Sequence, residues 1–305
     1  MQTLIDVESL QESLSSGEPI TILDVRWALG DPHGYQHYLD GHIPGGVYVD
    51  LERELASPGA PEQGRHPLPD PDDFQEAARR WGIDDGGVVV AYDDNGSMSA
   101  ARLWWLLRDA GREQVYLLDG GLGAWKQAGC PVETGSTTAE PGSVRLTSGR
   151  MPSISMAEAG SFPGSGLLLD ARAGERYRGE AEPVDPRAGH IPGATSAPTS
   201  DNLTADGRFK PATELRERFE MLRADGISSD GEAPVGGGTG VQAEAGTGGR
   251  GDRQAVTVAV YCGSGISAAH EIVALEIAGI AGALYPGSWS QWSNHPQLPV
   301  ATGAE

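Results

Sequence analysis

Val256-Thr257-Val258-Ala259-Val260-Tyr261 runs straight into Cys262-Gly263-Ser264-Gly265-Ile266-Ser267, and then into Ala268-Ala269. The first six residues are apolar or β-branched without alternation, the pattern of a strand buried on both faces. From Ala268 to Ala278 apolar residues recur at helical spacing, and Gly279 supplies the stop. Strand, tight glycine loop and helix in that order predict a parallel α/β sheet. In such sheets ligands bind beyond the carboxyl ends of the strands. The loop that begins at Cys262 is therefore where chemistry is expected.

The same wording occurs earlier in the chain. Val88-Val89-Val90-Ala91-Tyr92 matches the strand, and Ser99-Ala100-Ala101 matches Ser267-Ala268-Ala269, opening a helix over Ser99–Ala110 that stops at Gly111. Upstream, Ile22-Leu23-Asp24-Val25-Arg26 pairs with Leu168-Leu169-Asp170-Ala171-Arg172, and Gly41-His42-Ile43-Pro44-Gly45 with Gly189-His190-Ile191-Pro192-Gly193. Downstream, each half ends on a strand, a glycine turn and a tryptophan, Val115 to Trp125 and Ala283 to Trp292. Ordered matches of this kind mark an internal duplication. Two domains are expected, 1–136 and 151–305, joined by a Thr/Gly/Pro-rich linker at 137–150. Residues 229–253 carry many glycines and no apolar period, so a flexible insertion is expected there, either an inert surface loop or a lid.

Length and charge narrow the classes. A chain of 305 residues can build two cores without disulfides or metals. Its net charge of −21 argues against nucleic acid or an anionic membrane surface as the main partner. Two cysteines cannot make a disulfide framework, and no CxxC pair is present to hold zinc. The N-terminal stretch has early acids in place of a basic, apolar signal segment, and no stretch approaches a membrane span. A soluble cytoplasmic protein, most simply a monomer, is the expectation.

Physical chemistry singles out Cys262. The N-terminus of the following helix offers unpaired N–H groups and the positive end of a dipole. Gly263 and Gly265 permit a tight loop, Cys262–Ser267, whose N–H groups turn inward as an anion nest. Both effects favour thiolate, the reactive form. Cys130 lies past the last motif of the first half and is given no role.

The order and wording of these motifs resemble the tandem rhodanese-type sulfurtransferases over nearly the whole chain. The resemblance rests on DVR/DAR, both GHIPG segments, RLWWLLR at 102–108, YCGSGIS at 261–267 and GSWSQW at 287–292. It implies a catalytically silent first domain and a second-domain cysteine that carries sulfur as a persulfide. Counting back from the Ser-Ala-Ala match, Asp94 stands in the place of Cys262, and a carboxylate cannot take up sulfane sulfur. The Cys-Gly-Ser-Gly loop resembles 3-mercaptopyruvate sulfurtransferases, whereas thiosulfate enzymes place two cations after the cysteine. The resemblance further implies Arg176 and Arg187 as substrate-binding residues. It implies Ser264, His66 and Glu52 as a serine–histidine–carboxylate arrangement spanning the domains, with Glu52 where aspartate is usual. Pro286 likewise stands where aspartate is usual. His42 and His190 recur in both GHIPG turns, so a structural role is expected of both. Trp104, Trp105, Trp289 and Trp292 read as core aromatics.

The expected reaction moves sulfur from a small-molecule donor, 3-mercaptopyruvate or alternatively thiosulfate, to cyanide, a small thiol or a thioredoxin-like acceptor. No metal or organic cofactor is implied. A Cys-x5-Arg phosphatase of related fold would need arginine at the position of Ala268. A non-enzymatic binding module remains as a third reading, disfavoured by the intact cysteine loop of the second half.

Overall fold

The computed structural model describes residues 2–228 and 256–304, so the insertion expected at 229–253 lies outside the described residues. Two parallel sheets form, one in each half. The first has the order β1-β5-β4-β2-β3, from β1 (Leu4–Ile5), β2 (Ile20–Asp24), β3 (Val47–Tyr48), β4 (Val88–Tyr92) and β5 (Val115–Leu118). The second has the order β7-β6-β8-β9, from β6 (Leu167–Asp170), β7 (Thr195–Ser196), β8 (Val258–Tyr261) and β9 (Ala283–Leu284). Every strand pairing is parallel. A bridge from Ser153 to Leu284 adds an outer partner beside β9, where β1 lies beside β5 in the first half. The duplication read from sequence is thus a duplication of topology.

β4 and β8 are interior strands, and all four residues of β8 are buried. Their continuous apolar runs follow from that placement, because helices cover both faces of a parallel sheet. The helices after them run Ala100–Asp109 and Ser267–Ile277, and Gly111 and Gly279 follow at φ 89° and 77° as left-handed stops. Residues 100–107 are buried without a break. Such an all-round apolar helix must be covered on every side, and here the Ser267–Ile277 helix packs against it. One core cluster therefore crosses both halves, holding Leu103, Trp104 and Trp105 with Ile272, Val273 and Leu275. Each large apolar side chain buried there contributes about 1.5–3 kcal/mol.

The GHIPG turns fold identically. His42 Nδ1 lies 3.0 Å from the Tyr38 carbonyl and His190 Nδ1 lies 2.8 Å from that of Tyr177, each imidazole stacked on that tyrosine ring. Both rings are buried parts of the frame. Cys130 is also buried, its amide donating to the Trp125 carbonyl. Residues 137–150 have no regular structure but lie along the first half. Gly142 donates to Arg79, Val144 to Ile83 and Thr147 to Ala110. Among the described residues no helix is long and apolar enough to cross a membrane.

Candidate active site

Cys262 is the first residue beyond β8, 1% exposed, at the carboxyl edge of the second sheet. Its loop is held from below by the turn that follows β9. Cys262 N–H donates to Ser288 Oγ (3.1 Å), Trp289 N–H to the Cys262 carbonyl (2.9 Å) and Ser290 N–H to the Gly263 carbonyl (2.8 Å). The Gly265 amide donates to Cys262 Sγ at 3.2 Å. That amide favours sulfur as an anion, since a hydrogen bond to the charged form stabilises it. Gly265 must be glycine: its φ is +81°, and a Cβ would lie 2.4 Å from the Pro286 carbonyl oxygen. The Pro286 carbonyl thus lies close against the loop at Gly265. Ile266 anchors the loop in the shared core, and Ser267 opens the helix.

The loop has no basic residue of its own, yet two guanidiniums reach it. A Cβ built on Gly263 would lie 3.1 Å from Arg65 Nη2 and 3.4 Å from Arg176 Nη1. Arg176 comes from the short helix Gly174–Tyr177 of the second half. Arg65 comes from the first half, where its amide donates to Ser290 Oγ (3.0 Å). Two buried carboxylates face them. Asp185 joins Arg65 to Arg176 (3.1 Å to the latter), and Glu182 accepts from Arg176 at 2.6 Å. Burial raises the Asp185 pKa above the ordinary range, against the pull of Arg65 and Arg176. Arg65 Nε is buried with no hydrogen-bond partner among the described residues.

Arg187 does not join this group. Its guanidinium donates to the carbonyls of Ser293 (2.9 Å), Leu298 (2.9 Å), Trp292 (2.9 Å) and His295 (2.8 Å). Those bonds satisfy the carboxyl end of the Ser288–Ser293 helix, which otherwise leaves orphan acceptors. The structure thus places Arg187, expected at the substrate, as a cap with all four of these bonds away from the cysteine loop.

The serine–histidine–carboxylate arrangement is not assembled. Ser264 sits in the loop, 7% exposed. His66 lies next to Arg65, but its Nδ1 is buried without a partner. Burial first, then Arg102 and Arg65, push the His66 pKa down to about 4. Glu52 instead accepts from Trp27 Nε1 (3.2 Å), and the Trp27 ring meets His66 edge-on at 5.7 Å. Among the described residues no hydrogen bond links Ser264, His66 and Glu52. An exposed glutamate bonded to an indole cannot orient the imidazole as a buried aspartate would.

The loop of the first half corrects a second expectation. Tyr92 pairs with Asp24 as Tyr261 pairs with Asp170, so the residue after the strand, Asp93, matches Cys262. The Asp93 carboxylate is fully buried and accepts from the amides of Asn95 (3.0 Å), Ser97 (2.8 Å), Ser99 (2.9 Å) and Ala100 (3.0 Å). It stands where Sγ stands in the second half, which receives the Gly265 amide. Asp94 is 43% exposed and pairs with Arg26 at 3.3 Å. The alignment from the helix missed this because the first loop is one residue longer.

Sequence reasoning also passed over Arg65 and Arg102. Arg65 adjoins the proposed His66 and could have been weighed with it. Arg102 breaks an otherwise apolar helical run, a signal that a charge is being buried for a reason. Its Nη1 donates to the Gly265 carbonyl at 3.1 Å. Among the described residues no cluster of three or more His, Cys, Asp or Glu side chains could hold a metal ion.

Comparison with known proteins agrees with this geometry. The rhodanese-like domain family matches residues 6–128. A protein of Mycobacterium tuberculosis named as the thiosulfate sulfurtransferase SseB is 41% identical, covering 99% of this chain and 98% of its own. One of Pseudomonas aeruginosa named as a 3-mercaptopyruvate sulfurtransferase is also 41% identical, covering 98% of each chain. The crystal structure of the 3-mercaptopyruvate enzyme SseA from Escherichia coli superposes with a TM-score of 0.74 at 28% identity, covering 95% of this chain and 99% of that one.

Proposed function

The chain belongs to the tandem rhodanese-type sulfurtransferases, and from that premise we propose that Cys262 carries sulfur from 3-mercaptopyruvate to a thiophilic acceptor. The observation that carries this reading is Sγ at the sheet edge, receiving the Gly265 amide, with Arg65 and Arg176 flanking the open side of Gly263.

The donor carboxylate binds between the two guanidiniums, and the Ser264 hydroxyl and loop amides face its carbonyl. Cys262 thiolate attacks the donor sulfur. The carbon–sulfur bond breaks, its electron pair leaves as pyruvate enolate, and the donor's thiol proton passes through solvent to the enolate carbon to complete pyruvate. Cys262 is left as a persulfide anion stabilised by preorganised loop amides. A nucleophilic acceptor takes the outer sulfur and restores the thiolate; with cyanide the product is thiocyanate. Acceptors of three kinds fit: cyanide, a small thiol, or a thioredoxin-like protein.

Thiosulfate is the second reading, favoured by the two guanidiniums that reach the loop from outside. Against it, Asp185 and Glu182 match Arg65 and Arg176 charge for charge. A locally neutral mouth gives a dianion little advantage over a monocarboxylate. The test is kcat/KM for both donors side by side, with cyanide as acceptor. We expect 3-mercaptopyruvate ahead by about tenfold or more, one to two charge-assisted hydrogen bonds' worth. A thiosulfate preference overturns the donor assignment, and thiocyanate release by Cys262→Ser overturns the nucleophile.

The same reading divides the chain into domains at 1–136 and 151–305, since each sheet is complete within its own half. It also takes the protein as a cytoplasmic monomer.

A further inference from the structure

Arg102 is fully buried, and all its hydrogen bonds go to carbonyl oxygens. Nε and Nη2 donate to Leu55 (3.3 and 3.2 Å), Nη2 to His66 (3.1 Å) and Pro67 (3.4 Å), and Nη1 to Gly265 (3.1 Å). Among the described residues none of its partners is a carboxylate. Burying a guanidinium without a counter-ion is costly, so a fold that keeps one has a negative charge to set against it. Burial lowers the Arg102 pKa to about 10, and the one charge that opposes this is Cys262. The geometry agrees. Gly265 accepts Arg102 Nη1 on its carbonyl and presents its own N–H to Cys262 Sγ at 3.2 Å.

The duplication supplies a control inside the molecule. Ser99-Ala100-Ala101-Arg102 aligns with Ser267-Ala268-Ala269-His270. The two helices pack against each other, and each sends this residue to the opposite half's loop. Arg102 meets Gly265; His270 lies against the backbone of Gly96. Gly96 and Gly265 each stand three residues past Asp93 and Cys262, at φ +76° and +81°. His270 is fully buried, and desolvation pushes its pKa down to about 3, so it is neutral. The loop already filled by the Asp93 carboxylate faces a neutral ring. The loop with the cysteine faces a permanent cation.

We propose that Arg102, supplied by the half without a cysteine, is the positioning cation of sulfur transfer: it fixes the Gly265 peptide against Sγ and provides the counter-charge for the thiolate and the persulfide anion. The proposal rests on Cys262 as the nucleophile. It gives the silent domain a chemical task. The other charged or titratable groups around the loop are Arg65 and Arg176 beside Gly263, Asp185 and Glu182 bound to them, and His66 next to Arg65. None is altered in the test.

The experiment uses the full-length chain with Cys130→Ser, so that one thiol remains. The rate of Cys262 alkylation by iodoacetamide is followed from pH 5 to 10 in this protein, with Arg102→His and with Arg102→Lys. An opposite charge within about 4–6 Å shifts ionisation by about one unit or more, and the Gly265 peptide alone stands between Arg102 Nη1 and Sγ. Arg102→His should therefore reach half-maximal alkylation about one pH unit higher, with about tenfold slower labelling at pH 7. Its kcat should fall with it while donor KM stays within about twofold, because Arg102 has no bond to the donor. Arg102→Lys should keep the parent pH profile. A folded Arg102→His protein with the parent alkylation profile overturns the proposal. If both variants fail to fold, the stability of wild type and Cys262→Ser is compared from pH 6 to 9. A thiolate favoured by the fold makes wild type gain on the serine variant as pH rises, because the unfolded thiol holds its proton longer; parallel curves overturn the proposal. Sulfur transfer by Cys262→Ser would instead defeat the nucleophile assignment and is read separately.

Discussion

Replacing Arg65 by methionine removes one of the two guanidiniums beside Gly263 while keeping an unbranched stem of similar reach. Arg65 Nη2 lies 3.1 Å, and Arg176 Nη1 3.4 Å, from the point a Gly263 Cβ would occupy. A donor carboxylate there sits within reach of both. A hydrogen bond to a charged group contributes about 1.5–3 kcal/mol, which corresponds to about ten- to 150-fold in binding. Asp185 does not soften the loss, because it gives up Arg65 as a partner and turns its charge more fully to Arg176, in competition with the donor. The expected result is an increase of about tenfold or more in KM for 3-mercaptopyruvate, with kcat within about twofold. The carboxylate does not react, so its binding is uniform between ground and transition states. The assay is initial-rate thiocyanate formation at saturating cyanide with varied donor. Arg176→Met and the double variant complete a cycle. If one carboxylate is shared, the double variant should lose less than the two single losses combined. An unchanged KM in folded Arg65→Met, or a loss carried wholly by kcat, refutes the shared binding site.

Arg187→Met should lower stability by about 2 kcal/mol or more, since several carbonyls near the end of the Ser288–Ser293 helix lose their donor; donor KM in the folded protein should stay at the wild-type value. Asp93→Asn should cost about 2–3 kcal/mol in chemical denaturation, because an amide presents one acceptor and a misplaced donor to four backbone N–H groups. Asp93→Cys in a Cys262→Ser background should form no thiocyanate, the neutral His270 standing where Arg102 stands over the live loop; thiocyanate release there would show the first loop to be competent. Because the His66 pKa is about 4 in the fold and about 6.5 unfolded, the unfolded chain binds the proton first. Wild type should therefore be stable above pH 6.5 and lose up to about 3 kcal/mol relative to His66→Gln as pH falls to 4, read from melting temperatures at pH 7 and 4.5.

The elements of this fold are local facts of the chain. Unbroken β-branched runs make β4 and β8 interior strands, apolar spacing and a following glycine bound the helices, and the repetition of both within one sequence carries the duplicated topology. Cys262 was legible for the same reason, because strand, glycine loop and helix N-terminus are neighbours in sequence. The partners of the long polar side chains were not. Arg65, Arg102, Arg176 and Arg187 are chemically identical, and their neighbours in sequence leave their targets open. One flanks the loop from the other half, one lies buried against Gly265, one meets Asp185, and one caps a helix more than a hundred residues away. A guanidinium reaches several ångströms from its backbone, so its partner is set by tertiary packing: across the two halves for Arg65 and Arg102, within the second half for Arg176 and Arg187. The choice between Asp93 and Asp94 was likewise decided by strand pairing. Loop length varies between the repeats, whereas the register of parallel strands fixes which residue follows the sheet edge into the nest.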